Sequence, residues 1–233
     1  MKRVLLKLSG EALARKSGNL YDHSFVNEVA ATVAGLVDEG YEIALVVGAG
    51  NIWRGREGVE MDRIAADRMG MLATVINAIY VKDAIERAGK RAAVMTSVPM
   101  FPFAESYSSE GAVKHLEAGE VVVFGAGLGI PFLSTDTTGA VRAAEIGVDE
   151  ILMAKNVDYI YTADPVKFPD TAKKIETIKA TEVLAMNLQA IDATATAFSL
   201  SSGIPVRVFG FKEADDIAKA VRGEKNGTTI IAE

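Results

Sequence analysis

Three stretches of the 233-residue chain combine glycine with charge in a way suited to binding phosphate. In Arg3-Val-Leu-Leu-Lys-Leu-Ser9 a lysine, Lys7, interrupts an apolar run, and Ser9-Gly10 follows at its end. An ammonium inside an apolar strand is costly without an anion. A snorkelling edge lysine is one account of it. A lysine aimed from the strand end at a phosphate, beside a glycine turn, is the account preferred here. The second stretch, Gly48-Ala-Gly-Asn-Ile-Trp-Arg-Gly55, is another glycine turn and carries the cation Arg54. The third runs from Glu120 to Val141. A β-branched and aromatic run empties into Gly125, Gly127 and Gly129, which let backbone N–H groups approach a ligand. Pro131 stiffens the loop, and Ser134 to Thr138 crowd a helix start with cap residues. A strand ending in glycines before a helix N-terminus is a ready anion site, though an ordinary tight β–α connection has the same pattern.

Two familiar phosphate fingerprints do not fit. Gly50 to Gly55 has the outer glycine spacing of a Walker A loop, but Arg56-Glu57 stands where Lys-Ser/Thr is needed. Gly48 and Gly50 lack the third glycine of a dinucleotide fingerprint, since position 53 is Trp.

The elements that would position these residues alternate between strand and helix. Strands are expected at Arg3–Ser9, Tyr41–Val47, Arg91–Thr96, Val121–Phe124, Glu150–Ala154, Val206–Phe209 and Thr228–Ile231. Helices are expected after the cap Asp22, over Met61–Ala88, Ser108–Glu117, up to Gly147, and over Thr181–Met186, Ile191–Ser201 and Ala214–Val221. Such alternation predicts an α/β fold with parallel pairing and right-handed crossovers. No linker or repeat divides the chain, so one domain over 1–233 is expected. The Met61–Ala88 helix would span about 40 Å. Ile64, Met71, Val75 and Ile79 mark one face of it, with Leu72 and Ile76 beside them, an apolar length suited to a subunit interface. Asp67 falls on that face, either as a solvated boundary carboxylate or as one directed into a cleft. His115 reads as a surface residue.

Composition narrows the chemistry. Hydrophobic residues make up 49% and charged residues 24%, an ordinary globular balance. A net charge of −6 argues against a nucleic-acid partner. There is no cysteine, and His23 and His115 lie far apart, which disfavours thiol chemistry and a zinc site; no protein metal ligand is expected. The longest uncharged run, Val121 to Thr135, is shorter than the ~20 apolar residues of a membrane span, and a cytoplasmic protein is expected.

Lys7-Leu-Ser-Gly-Glu-Ala-Leu13, Gly48 to Arg54, Asp67-Arg-Met-Gly-Met-Leu-Ala-Thr74, Gly129 to Asp136, Val157-Asp158 with Thr162-Ala-Asp-Pro165, and Pro205 to Phe209 together resemble the bacterial uridylate kinases of the amino-acid-kinase fold. The motifs follow that family's order over essentially the whole chain. The resemblance implies a three-layer α/β/α sandwich, a homohexamer, and Mg²⁺- and ATP-dependent conversion of UMP to UDP in pyrimidine nucleotide synthesis. Carried over by position, Lys7, Leu8, Ser9 and Gly10 would bind ATP phosphates, with Gly50 and Arg54 near the donor. Lys155, Asn156, Tyr161 and Asp164 would hold the adenine nucleotide. Ala49, Asp67 and the loop Leu128, Gly129, Ile130, Pro131, Phe132, Leu133, Ser134 and Thr135 would contact UMP. Lys7, Arg54 and Asp136 would form the catalytic set, with Asp136 orienting Lys7 rather than acting as a base. Two departures stand out. Ala49 replaces the middle glycine of the second turn, which a negative φ would tolerate. Arg15 to Tyr21 does not match the corresponding loop of GTP-activated members. The alternatives are a non-catalytic nucleotide-binding protein on the same scaffold, or a sister kinase acting on a carboxylate or carbamate.

Overall fold

The computed structural model describes residues 2–15, 19–53, 60–163, 167–168, 170–186, 188 and 190–232. In chain order the strands are β1 (Arg3–Leu8), β2 (Glu42–Val47), β3 (Ala92–Thr96), β4 (Glu105–Ser106), β5 (Val121–Gly125), β6 (Glu150–Lys155), β7 (Ile160–Tyr161), β8 (Lys174–Ile175), β9 (Thr177–Lys179), β10 (Val206–Gly210) and β11 (Gly227–Ile231). The helices are α1 (Gly10–Ala14), α2 (His23–Asp38), α3 (Arg63–Arg87), α4 (Ser109–Glu117), α5 (Thr135–Ile146), α6 (Ala180–Ala185), α7 (Ala193–Ser202) and α8 (Asp215–Arg222). Among the described residues a nine-stranded sheet runs β4-β3-β5-β2-β1-β6-β10-β11-β9, and β7 and β8 form a separate antiparallel ribbon.

The central strands are apolar almost throughout because both of their faces are covered. Period-two alternation divides them cleanly. Val4, Leu6 and Leu8 of β1 join Ile43, Leu45 and Val47 of β2 in one core, closed by α2, α3 and α8. Leu5, Ala44 and Val46 face the other way, into a core closed by α4, α5, α6 and α7. This is the three-layer α/β/α sandwich that the family resemblance implies. Lys7 shares the parity of Leu5, and Lys155 that of Ile151 and Met153, so both lysines leave the sheet on the α5 side. β1 and β6 are parallel neighbours, with Lys7 level with Met153.

One expectation needs correction. β11 pairs antiparallel with β10, Phe209 opposite Gly227, although a helix lies between them. α8 has eight residues, about 12 Å of rise, and the chain re-enters the sheet from the end where β10 leaves it. The large apolar residues of α3 face outward. Ile64, Leu72, Ile76 and Ile79 are exposed, while Ala66, Ala73, Ala78, Val81, Ala84 and Ile85 pack inward. Small residues let the helix lie close on the sheet. By length and composition α3 could cross a membrane, the one such helix among the described residues, yet it packs on β2, β3, β5 and α2. His115 is tied down: its Nδ1 lies 2.7 Å from Glu120 and its Nε2 3.0 Å from Glu105.

Candidate active site

The floor of the site is the meeting of two glycine turns at the ends of β1 and β2. Ser9 caps α1, its Oγ accepting the Ala12 N–H at 3.2 Å. The turns touch so closely that a Cβ at Gly10 would lie 2.5 Å from the Gly50 nitrogen and 2.7 Å from the Gly48 carbonyl oxygen. Only glycine fits there. The Gly48 N–H donates to the Leu8 carbonyl at 2.8 Å, and the Leu8 side chain is fully buried, so Leu8 serves the site through its backbone. From behind, the buried Asn77 amide donates to the Gly48 carbonyl at 2.7 Å and to Asn51 Oδ1 at 2.8 Å. Tyr21 donates its hydroxyl to Asn77 Oδ1 at 2.8 Å. Among the described residues the positive φ angles of non-glycine residues fall on Arg15, Ala126 and Phe132, so Ala49 meets the condition for replacing a glycine. Arg54 lies outside the described residues.

Over this floor, at the N-terminus of α5, stands a buried charge cluster. Lys7 Nζ is 2.7 Å from Asp136 Oδ1, and Lys155 Nζ is 2.6 Å from Asp136 Oδ2. Burial opposes the Asp136 charge, but Lys7 and Lys155 outweigh it and hold the carboxyl below the usual aspartate range. Burial, then the Lys7 ammonium, pull Lys155 below the usual lysine range against the attraction of Asp136. A carboxylate so engaged is a poor proton acceptor. Two ammonium groups converge on the Asp136 carboxylate, with the Asp192 carboxylate also acting on Lys155, which sets fixed cations where an anionic ligand could meet them. Asp192 anchors the helix start that carries Asp136. It caps α7, accepts the Thr137 hydroxyl at 3.1 Å, and also accepts that of Ser134.

Beside the cluster is a cavity of about 160 Å³. Ala49, Asp67, Leu128, Ile130, Leu133 and Thr135 line it as the resemblance implies, and Trp53, Gly70, Met71, Thr74, Gly127 and Thr138 complete it. Gly129, Pro131, Phe132 and Ser134 are not in its lining. Ser134 instead caps α5, accepting from the Asp136 and Thr137 N–H groups. Asp67 is the cleft carboxylate rather than a solvated one: its Oδ2 accepts the Phe132 N–H at 2.8 Å and its Oδ1 the Arg63 Nε–H at 2.9 Å. Trp53 is held by donating its indole N–H to the Ala66 carbonyl at 2.9 Å.

At the end of β6, Asn156 is exposed. Tyr161 donates to Asp158 Oδ1 at 2.8 Å, and Lys174 lies 2.8 Å from Asp158 Oδ2. Asp164 lies outside the described residues.

A family model for the amino acid kinase family matches residues 2–210. The chain belongs to that family. Within it, the structure is similar to the UMP kinase of Bacillus anthracis, with a TM-score of 0.94, 38% identity, and coverage of 100% of this chain and 96% of the other. The UMP kinase of Ureaplasma parvum gives a TM-score of 0.93 and 32% identity over 99% of this chain and 98% of the other. The uridylate kinase of Archaeoglobus fulgidus gives 0.74 and 27% over 99% and 100%.

The family resemblance implies Lys155 or Asn156 for the adenine nucleotide, and the fold adds that Lys155 shares Asp136 with Lys7. Strand parity carried that signal, since Lys155 continues the Ile151–Met153 face. Asp192, Thr74 and Trp53 were missed. Asp192 could have been noticed as the cap preceding the α7 pattern, but nothing local links it to Ser134, 58 residues away.

Proposed function

We propose that this chain is a UMP kinase, transferring the γ-phosphoryl group of ATP to UMP to give UDP and ADP. The observation that carries this is the Lys7–Asp136–Lys155 cluster, two ammonium groups converging on a buried carboxylate, with two backbone-lined turns and a cavity beside it. End-to-end likeness to UMP kinases supports the choice of acceptor.

A phosphate monoester has a second pKa near ~6, so UMP reaches the site largely as a dianion with its nucleophilic oxygen already free. No general base is needed. The barrier is the approach of two polyanions and the charge spread over the transferred group, which calls for fixed cations and N–H dipoles. Lys7 and Lys155 supply the former, the glycine turns and the α5 N-terminus the latter, with Arg54 as a further cation. Asp136 holds the two ammonium groups apart and aimed. The cavity takes UMP, with Asp67 accepting from its ribose, and Ser9, Gly10, Gly50, Asn156, Tyr161 and Asp164 bind the ATP side. Mg²⁺ bound with ATP would supply charge neutralisation. Among the described residues no cluster of three or more metal-ligating side chains occurs, and both Asp136 oxygens are engaged, so phosphates and water would hold the ion.

The reading includes one domain over 1–233, supported by cores that each draw on both ends of the chain, Val4 with Val221 and Leu5 with Ile230. It includes a cytoplasmic homohexamer without nucleic-acid or membrane partners. The outward stripe of α3 supports assembly, Leu72 being 53% and Ile76 52% exposed. The test is a coupled assay of ADP release against UMP, CMP, dUMP and carboxylate acceptors. Turnover with UMP far above the carboxylates is expected, and the reverse order would overturn the reading.

A further inference from the structure

The loop that walls the cavity is held in an unfavourable shape. Ala126 has φ +61° and Gly127 φ +57°, both left-handed, and the alanine does not adopt that region readily. Groups outside the loop have to hold it. One is Thr74, whose Oγ1 accepts the Ala126 N–H at 2.9 Å while donating to the Met71 carbonyl. The other is a part-buried chain ending on the Gly127 carbonyl. Arg142, 5% exposed, donates from Nη2 to Ser97 Oγ at 2.7 Å, and Ser97 Oγ lies 2.6 Å from the Gly127 oxygen.

The direction of this chain follows from chemistry. A guanidinium can only donate, so Ser97 accepts from Arg142 and its single proton goes to Gly127. Arg142 is itself fixed, paired with Glu145 and stacked 3.6 Å from the centroid of Tyr107, which donates to Glu145 at 2.7 Å. A planar trans peptide presents its N–H opposite its C=O. Binding the Gly127 carbonyl therefore turns the Leu128 N–H away from Ser97, and Gly127 and Leu128 both line the cavity.

We infer that Ser97 and Arg142 are positioning residues for the phosphoryl acceptor, acting on UMP through the Gly127–Leu128 peptide without touching the nucleotide. The inference rests on the cavity being the UMP site.

The experiment is steady-state kinetics of the full chain with UMP and ATP varied separately, beside thermal unfolding. Ser97→Ala should raise KM for UMP about tenfold, as expected for losing one part-buried hydrogen bond, with KM for ATP within about twofold of the unaltered chain. Ser97→Thr, which keeps the hydroxyl, should restore KM for UMP to within about threefold of the unaltered value. Should Ser97→Ala fail to fold, Arg142→Lys, which keeps the charge and loses the fork, should show the same split. An unchanged KM for UMP with a lowered Tm, or equal rises for both substrates, would overturn the inference while leaving the UMP kinase reading intact. Absence of UMP turnover in the unaltered chain would instead remove the reading itself, and the inference with it.

Discussion

On the side proposed for the donor, Gly10 and the Gly48–Gly50 turn are in backbone contact, with no room for a methyl group. On the side proposed for the acceptor, the loop after β5 presents Ile130 and Phe132 at 58% and 64% exposure and is held by single hydrogen bonds from distant elements. The donor floor takes its shape from packing of main chain on main chain, which has one close-fitting solution. The loop after β5 takes its shape from side chains of α3 and α5 and from Ser97 just after β3. A site that must hold a triphosphate rigidly and admit and release a second nucleotide is served by that division. Substitutions on the floor should therefore damage catalysis and stability together, and those at the loop should change acceptor affinity alone.

The largest effect is expected at the junction of the two regions. Asp136→Asn leaves two buried ammonium groups without their carboxylate, which costs about 3–5 kcal/mol of stability. The sign of its pH dependence follows from the lowered Asp136 pKa. The stabilisation is fully present above the unfolded carboxylate value of about 4 and is lost as pH falls through the folded value below it. Thermal unfolding of both proteins between pH 2 and 8 should show a gap at neutral pH that closes in acid. A constant gap would remove the ion pairs from the account.

Asp67→Ala probes the loop side. A hydrogen bond to a charged acceptor is worth roughly 1.5–3 kcal/mol, about a 10- to 150-fold effect. UMP should weaken by that order with ATP nearly unaffected, and the preference for UMP over dUMP should narrow. The comparison of kcat/KM for both acceptors checks it, and loss of ATP affinity instead would place Asp67 with the donor floor. Gly10→Ala, the smallest change chemically, forces the two turns apart. A cost of about 1–3 kcal/mol is expected for such overpacking, with KM for ATP rising more than KM for UMP. Equal rises would erase the distinction between the regions.

Much of the donor floor was legible in the sequence, because its signals are local: a lysine misplaced in an apolar strand, glycines where strands end, caps before a helix. The α/β fold was legible for the same reason, since apolar runs alternate with helical periods, while its three layers came from the family resemblance. What stayed hidden depends on the third dimension. The inner face of α3 mixes alanines with Val75, Val81 and Ile85, and the alanines give little pattern beside the exposed Ile64, Leu72 and Ile76. Ser97, Arg142 and Asp192 act across 30 to 58 residues of sequence. The direction of β11 depended on how short α8 is. The family resemblance assigned the loop 128–135 to UMP as a block, whereas the structure divides it between lining, exposed tip and helix cap.

The central claim is that the ammonium of Lys7 acts chiefly on the transferring phosphoryl group. A single-turnover measurement of UDP formation by Lys7→Ala, with ATP and UMP both saturating, tests it most directly. Loss of one fixed electrostatic contact to a developing charge should slow the step by about 10²–10³-fold, while the UMP dissociation constant changes little. A near-normal rate, or a loss confined to UMP binding, would contradict the account.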